Sequence, residues 1–164
     1  MGTRRLIAGM LCAALLLGGC SAAGLSKMVG VTHASLAPQP ASTPVPGNHG
    51  NLDGLIARYA AINGVPASLV HRVVRRESSY NPRARNGPYY GLMQISYATA
   101  KSMGYRGQAS GLLDAETNLK YAVKYLAGAY LVGNSNHDQA VRNYSRGYYY
   151  DAKRKGLLEE AGLR

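Results

Sequence analysis

One segment of the sequence contains both a helix and the signal that ends it: Leu69-Val70-His71-Arg72-Val73-Val74-Arg75-Arg76-Glu77-Ser78-Ser79-Tyr80-Asn81-Pro82. Its apolar residues recur at intervals of three and four, which is typical of the buried face of a helix. Pro66 can open this helix, because proline is tolerated in the first helical turn. Asn81-Pro82 ends it, because a proline disfavours helical backbone in the residue before it.

Glu77 lies on the apolar face of this helix, three and four residues after Val74 and Val73. It also falls in the last turn, where the helix dipole disfavours negative charge. Both effects should raise the pKa of Glu77. The positive charges of Arg75 and Arg76 would lower this pKa. Side chains of adjacent helix residues point in different directions, however, so we expect burial to dominate. A carboxylic acid that stays protonated is suited to general acid catalysis, although most buried glutamates have a structural role.

The remainder of the domain is also predicted to be helical. Apolar residues at helical spacing predict a helix over 51–62 that stops at Asn63-Gly64. A second, short helix should begin after the N-cap Ser96 and end at Gly104.

The longest predicted helix runs from about 115 to 132, with Asp114 as its N-cap and Gly133 as its terminator. Asn136 with Gln139 resembles a capping box and predicts a further helix to about Arg146. No segment alternates apolar and polar residues well enough to require a strand. The predicted fold class is therefore all-α.

The composition fits one basic domain without a cofactor. The chain has 164 residues, 46% of them hydrophobic, which argues against disorder throughout. Lys and Arg number 19 against 8 Asp and Glu, and this charge suits an anionic partner such as a membrane or a nucleic acid. Two cysteines and four histidines show no zinc-type spacing, and His71 and His137 are expected at the surface. We predict no metal and no cofactor.

The first 20 residues predict export and a lipid anchor. Arg4 and Arg5 precede an apolar run, 6–17, that is too short to span a bilayer and fits a signal-peptide core. The run leads into Leu17-Gly18-Gly19-Cys20, which resembles the bacterial lipobox, whose cysteine is lipidated and becomes the new N-terminus. We therefore expect a signal peptide over 1–19 and a lipidated Cys20. An ordinary secretory signal with a coincidental cysteine is the alternative.

Residues 20–50 are expected to be a tether rich in Pro, Ala and Ser, and 51–164 the folded domain. An exported lipoprotein belongs in the cell envelope, and export argues against a nucleic-acid partner. Because Ser21 rather than Asp follows Cys20, the sequence resembles lipoproteins at the periplasmic face of the outer membrane.

Three motifs in this domain resemble those of the bacterial lytic transglycosylases, the lysozyme-like enzymes that cleave peptidoglycan. The first is Glu77-Ser78-Ser79-Tyr80-Asn81-Pro82-Arg83-Ala84, the second Gly91-Leu92-Met93-Gln94-Ile95, and the third Ala140-Val141-Arg142-Asn143-Tyr144-Ser145-Arg146-Gly147. Residues 114–126 are similar to the family's long central helix. The resemblance implies a compact helical lysozyme-like domain with an active-site cleft. Ser145 replaces the Asn of the usual Tyr-Asn-x-Gly, so the contacts of that amide are not carried over.

The resemblance implies a mechanism centred on Glu77. This residue would protonate the oxygen of the β-1,4 bond between N-acetylmuramic acid and N-acetylglucosamine. It would then take the proton of the muramic acid C6 hydroxyl, which closes onto C1 and forms a 1,6-anhydro end. Tyr144 would hydrogen-bond near Glu77 and hold it in place.

The resemblance also implies contacts with the glycan strand. Gln94 resembles the residue that contacts sugar amides, Met93 one that lines the cleft, and Ser78 one that fixes the loop after the acid. Each also has a structural interpretation: Gln94 as a hydrogen bonder at a helix start, Met93 as core filler and Ser78 as a helix C-cap.

The tyrosines are candidates for stacking on sugars. The chain has 13 Tyr and no Phe or Trp, so tyrosine must also fill core positions. Tyr90, just before the second motif, and Tyr148, just after the third, are the predicted groove residues.

Two other functions remain open at this point. A goose-type lysozyme-like hydrolase would need a second carboxylate to activate water, and the sequence does not place Asp53, Asp114, Glu116, Asp138 or Asp151. A non-catalytic peptidoglycan-binding lipoprotein would need only the cleft.

Overall fold

The computed structural model describes residues 51–163, and its helices follow the predicted order. They are α1 (Asn51–Ile62), α2 (Ala67–Ser78), α3 (Tyr97–Ser102), α4 (Ala115–Val132), α5 (His137–Arg146) and α6 (Tyr149–Lys155), with a 3-10 turn at Ala109–Leu113. The all-α fold class is confirmed, while α6 and the 3-10 turn are additions to the prediction. The predicted signal peptide, Cys20 and the tether lie outside the described residues.

The three predicted N-caps all form. Each side-chain oxygen accepts a hydrogen bond from the backbone N–H three residues later: at Ser96 over 3.0 Å, at Asp114 over 2.8 Å and at Asn136 over 2.9 Å. These bonds satisfy N–H groups that have no partner within the helix. Local chemistry therefore fixes where α3, α4 and α5 begin.

A small antiparallel sheet contradicts the prediction that the domain has no strand. It consists of β1 (Arg85–Asn86), β2 (Tyr89–Tyr90) and β3 (Ile95–Ser96), paired in that order. Two-residue strands are too short to show an alternating pattern, so the sequence gives no strand signal here. The first turn contains Gly87, whose φ of +56° suits glycine.

Helix α4 lies at the centre of the packing and contacts α1, α3, α5, α6 and the 3-10 turn. One face of α4 is apolar: Leu119, Ala122, Val123 and Leu126 are buried, and Tyr130 is half-buried. Among residues 51–163, no helix is both long enough and apolar enough to cross a membrane.

Helix α2 packs its predicted apolar face into the core, where Leu69, Val70, Val73 and Val74 are buried. His71 is also buried, which corrects the expectation that it lies at the surface. Its Nδ1 lies 3.1 Å from the hydroxyl of buried Tyr80, so the imidazole has a hydrogen-bonding partner inside the protein.

Gly91 is placed where no other residue fits. Its φ is +71°, and a Cβ added there would lie 2.3 Å from Asn118 Nδ2 and 2.4 Å from the Leu112 carbonyl oxygen. The chain can approach α4 this closely only because residue 91 has no side chain.

The substitution Gly91→Ala should therefore destabilise the fold by about 2–4 kcal/mol through overpacking and left-handed strain. The same change at Gly54, which lies in α1 where an added Cβ would meet nothing within 4 Å, should stabilise by about 0.5–1 kcal/mol. Urea unfolding of both variants measures the two signs. Equal effects at the two glycines would contradict the close packing at Gly91.

Candidate active site

Glu77 lies in the last turn of α2 and projects into a cavity of about 420 Å³. Its side chain is 23% exposed, and burial raises the pKa of its carboxyl group. Arg76 lowers that pKa, with its Nε 3.7 Å from Glu77 Oε1, but burial is the larger effect. The predicted direction is confirmed, although Arg76 lies nearer than helix geometry suggested. The cavity is lined by Arg76, Glu77, Asn86, Tyr89, Gln94, Tyr144 and Ser145.

A second cavity, of about 240 Å³, continues the first. The two share Tyr89, Gln94, Tyr144 and Ser145, so we treat them as one groove. Beyond these four, the second cavity is lined by Ile95, Ser96, Thr99, Tyr125, Arg146 and Gly147. Glu77 therefore lies in an open channel rather than in a closed pocket.

Ser78 connects the helix that carries Glu77 to the second motif. Its hydroxyl is 2.7 Å from the carbonyl oxygen of Leu92 and 3.2 Å from that of Val74. It lines neither cavity of the groove, so it is a positioning residue and its predicted place among the substrate contacts is not supported. The same bond agrees with the expectation that Ser78 fixes the chain next to the acid.

Tyr144 faces the same cavity from α5, but its hydrogen bond differs from the expected one. The hydroxyl donates to the carbonyl oxygen of Met93 over 2.8 Å, not to Glu77. A phenol has a single proton, and a buried carbonyl without a donor is costly, so the backbone acceptor takes it. Burial is the main reason that the pKa of Tyr144 lies well above its usual value, and the negative charge of Glu77 raises it further. Tyr144 is therefore near Glu77 and stays protonated.

Met93 does not line the cleft, which corrects the expectation for this residue. Its side chain is fully buried in the core, so only its backbone serves the site. The backbone N–H donates to Asn118 Oδ1 over 2.9 Å. Asn118 in turn donates to the carbonyl oxygens of Tyr90 and Leu112, each over 2.8 Å. In the sequence, Asn118 stands out only as a polar residue on an otherwise apolar helix face.

Gln94 lies in both cavities of the groove, in agreement with its predicted place in the cleft. Its Nε2 donates to the carbonyl oxygens of Ala84 (3.1 Å) and Gly91 (2.9 Å). Its φ of +47° is unusual for a residue other than glycine, and the two side-chain bonds stabilise this turn.

Comparison with known proteins identifies the family of this arrangement. The family described as "Transglycosylase SLT domain" matches residues 54–159. The chain belongs to the transglycosylase SLT domain family. The match includes every residue that lines the groove.

Two individual proteins are similar to this SLT domain. The peptidoglycan transglycosylase gp16 of Escherichia phage T7 is 38% identical over 102 residues, which cover 58% of this chain and 8% of the phage protein. The crystal structure of the 70 kDa soluble lytic transglycosylase of Escherichia coli matches with a TM-score of 0.55 and 27% identity. That match covers 66% of this chain and 18% of the E. coli protein. The chain thus spans less than a fifth of either relative.

The tyrosines of this SLT domain are arranged differently from the prediction. Tyr148 is 2% exposed, and its hydroxyl donates to the backbone oxygen of Tyr125, so it cannot stack on a glycan. Tyr90 is half-buried with its ring against the Arg85 guanidinium, and the groove is lined by its neighbour Tyr89. Adjacent residues in a strand point to opposite faces, so only one of the pair can face the groove. Tyr125 is a further groove residue that sequence reasoning missed.

Four of the other acidic side chains are engaged elsewhere, and Asp53 in α1, Glu159 and Glu160 do not line the groove. Asp114 caps α4, Glu116 pairs with Arg58, Asp138 pairs with Arg72, and Asp151 pairs with Arg146 and Arg154. Among the described residues, Glu77 is the only acid that lines the groove. Within 51–163, no three His, Cys, Asp or Glu side chains are grouped closely enough to hold a metal ion.

The balance of charges at Glu77 can be tested by titration. Replacing Arg76 with Gln removes the positive charge that favours the ionised carboxylate, so the pKa of Glu77 should rise further. The measurement is an NMR titration of the side-chain carboxyl carbon in protein labelled at glutamate.

Arg75→Gln is the matched control, since it removes an equal charge from the neighbouring position on α2. It should leave the Glu77 titration close to that of the wild type. A fall in the pKa on removing Arg76 would show that the guanidinium is not the opposing charge.

Proposed function

We propose that this protein is a lytic transglycosylase that cleaves the β-1,4 bond between N-acetylmuramic acid and N-acetylglucosamine in peptidoglycan. The observation that carries the proposal is the lone acid of the groove. Glu77 has a raised pKa and lies in a channel with no second carboxylate among the described residues. The relatives' printed names, peptidoglycan transglycosylase and soluble lytic transglycosylase, support the same activity.

The first step uses Glu77 as a general acid. Its proton passes to the glycosidic oxygen as the bond to C1 breaks, and N-acetylglucosamine leaves with a free hydroxyl. Because the Tyr144 hydroxyl already donates to Met93, a group that approaches its oxygen must itself donate, which favours the neutral form of Glu77. The positive charge at C1 is taken up by the substrate's acetamido group, so no enzyme nucleophile is required.

The second step uses the same residue as a base. The Glu77 carboxylate removes the proton of the muramic acid C6 hydroxyl, and O6 bonds to C1 as the acetamido oxygen leaves C1, which gives the 1,6-anhydro ring and restores the acetamido group. The acid is thereby regenerated, and no water is consumed. Arg76 favours this ionised intermediate state, and burial favours the protonated starting state.

A hydrolase reaction is less consistent with this groove. Inverting glycosidases need a base carboxylate on the opposite face of the sugar, and retaining ones that do not use the substrate's acetamido group need a second carboxylate nearer to the acid. Glu116, Asp138 and Asp151, which pair with arginines, lie outside the groove, so none of them can supply this second carboxylate.

The test is mass spectrometry of the fragments released from purified sacculi. Wild-type protein should release chains with 1,6-anhydro ends, and Glu77→Gln should lower the rate by roughly a hundredfold to ten-thousandfold, since the proton donor is lost. Binding of the variant to sacculi should persist, because the amide occupies the same volume.

Other products would overturn the proposal. Reducing muramic acid ends would identify a hydrolase. Binding by the wild type without release of any fragment would identify a non-catalytic wall-binding protein.

We also propose that the protein is exported and anchored by a lipid on Cys20, at the periplasmic face of the outer membrane. The apolar run 6–17 and the sequence Leu17-Gly18-Gly19-Cys20 support this. Stable attachment needs more than one acyl chain, so the lipid anchor at Cys20 is expected to contain at least two.

Partition into detergent phase tests the anchor. Wild-type protein and Cys12→Ser should enter the detergent phase, because Cys12 is removed with the signal peptide, whereas Cys20→Ser should remain in the aqueous phase. Detergent partition of the Cys20→Ser protein would show that the cysteine is not the anchor.

A further inference from the structure

A third pocket, of about 560 Å³, adjoins the groove at Arg146, which lines both. It lies between the end of α4, α5 and α6, away from Glu77. We call it the cationic pocket, and it is lined by Val132, Gly133, Asn134, Asn136, Gln139, Arg142, Asn143, Arg146, Asp151 and Lys155. Its volume is in the range typical of sites for small ligands.

Positive charge dominates this pocket. Arg142, Arg146 and Lys155 face a single carboxylate, Asp151. Asp151 is already paired with Arg146 and with Arg154, so its negative charge is offset by two guanidinium groups. The pocket as a whole is therefore attractive to an anion.

The cations are held in place by side-chain acceptors. Gln139 Oε1 accepts from Arg142 Nη2 over 2.8 Å, and Asn143 Oδ1 accepts from Arg146 Nη2 over 3.2 Å. Asn134 Oδ1 accepts from Lys155 Nζ over 2.9 Å. These contacts order the three cationic side chains before any ligand arrives, which lowers the entropy cost of binding.

The same bonds leave the pocket rich in donors. An arginine carries five N–H donors, and the contacts above engage one nitrogen, Nη2, of each guanidinium. The side-chain oxygens of Asn134, Gln139 and Asn143 already accept from these cations, and that of Asn136 accepts from the backbone N–H of Gln139. The complementary ligand is therefore negatively charged and rich in acceptors, as a carboxylate is.

We propose that the cationic pocket binds the carboxylates of the peptide chains attached to the glycan strand. The inference rests on the proposed function, since it assumes that the groove holds peptidoglycan. A peptide branching from a sugar near Arg146 would leave the groove at the residue that the groove and the pocket share. The pocket would then distinguish peptide-bearing strands from bare ones.

Arg142 is the residue best suited to a test. It is exposed, and its contact with Gln139 lies within one helix, so its removal should leave the fold intact. Arg146 also pairs with Asp151, and Lys155 also donates to the Val132 carbonyl oxygen at the end of α4. Replacing either residue would therefore perturb the structure directly.

The experiment compares two ligands on full-length protein in detergent, with Glu77→Gln present throughout so that neither ligand is cleaved. One ligand is glycan chains with their peptides, and the other is the same chains after amidase removal of the peptides. The protein should bind the peptide-bearing chains more tightly, and Arg142→Gln should reduce this preference by about threefold to tenfold. The preference should also fall with added salt.

Two further variants sharpen the result. Arg142→Lys retains the charge and should restore much of the preference. Arg83→Gln, which removes an equal charge from an arginine that lines neither the groove nor the cationic pocket, should leave the preference at its starting value.

The outcomes separate this inference from the proposed function. Equal binding of the two ligands, or a preference that Arg142→Gln does not change, overturns the peptide site alone. Binding of neither ligand overturns both proposals. If Arg142→Gln instead weakens binding to phosphatidylglycerol vesicles while the glycan preference is unchanged, the pocket binds lipid headgroups and the peptide proposal is wrong.

Discussion

Two consecutive peptide units, at Leu92 and Met93, hold three helices together. The Leu92 carbonyl oxygen accepts from Ser78 of α2, and that of Met93 accepts from Tyr144 of α5. The Met93 N–H donates to Asn118 of α4. An unpaired buried polar group costs about 1–3 kcal/mol, so each helix is held to this segment by a bond that is costly to break. The walls of the groove depend on these three bonds.

The position of Glu77 follows from this arrangement. It precedes Ser78 by one residue, so the bond that fixes Ser78 also fixes the acid relative to the second motif. The chain then turns sharply through Ser79 and Tyr80, whose φ angles are +49° and +65°. Such backbone costs roughly 1–3 kcal/mol per residue, and the buried contact of Tyr80 with His71 helps to stabilise it. Strain is thus concentrated directly after the acid.

The helices could be predicted because their causes are local. Spacing places the apolar face of α2, and the caps Ser96, Asp114 and Asn136 bond to N–H groups three residues away. The sheet could not be predicted, since strands of two residues carry no period and are held by pairing alone. The burial of His71 could not be predicted either, because it depends on Tyr80, a partner outside α2 whose hydroxyl lies 3.1 Å from the imidazole.

The spacing of the apolar residues before Glu77 is enough to predict that this acid shares a helix face with them, and hence that burial raises its pKa. Spacing does not predict that Met93 and Tyr148 belong to the core, or that Tyr89 rather than Tyr90 faces the groove, because both depend on how distant segments pack. The physical reason is the range of the interactions. A helix face is set by residues three and four apart, whereas exposure depends on which surfaces arrive from far along the chain, as in the bonds across 51 residues to Met93 and 23 residues to Tyr125.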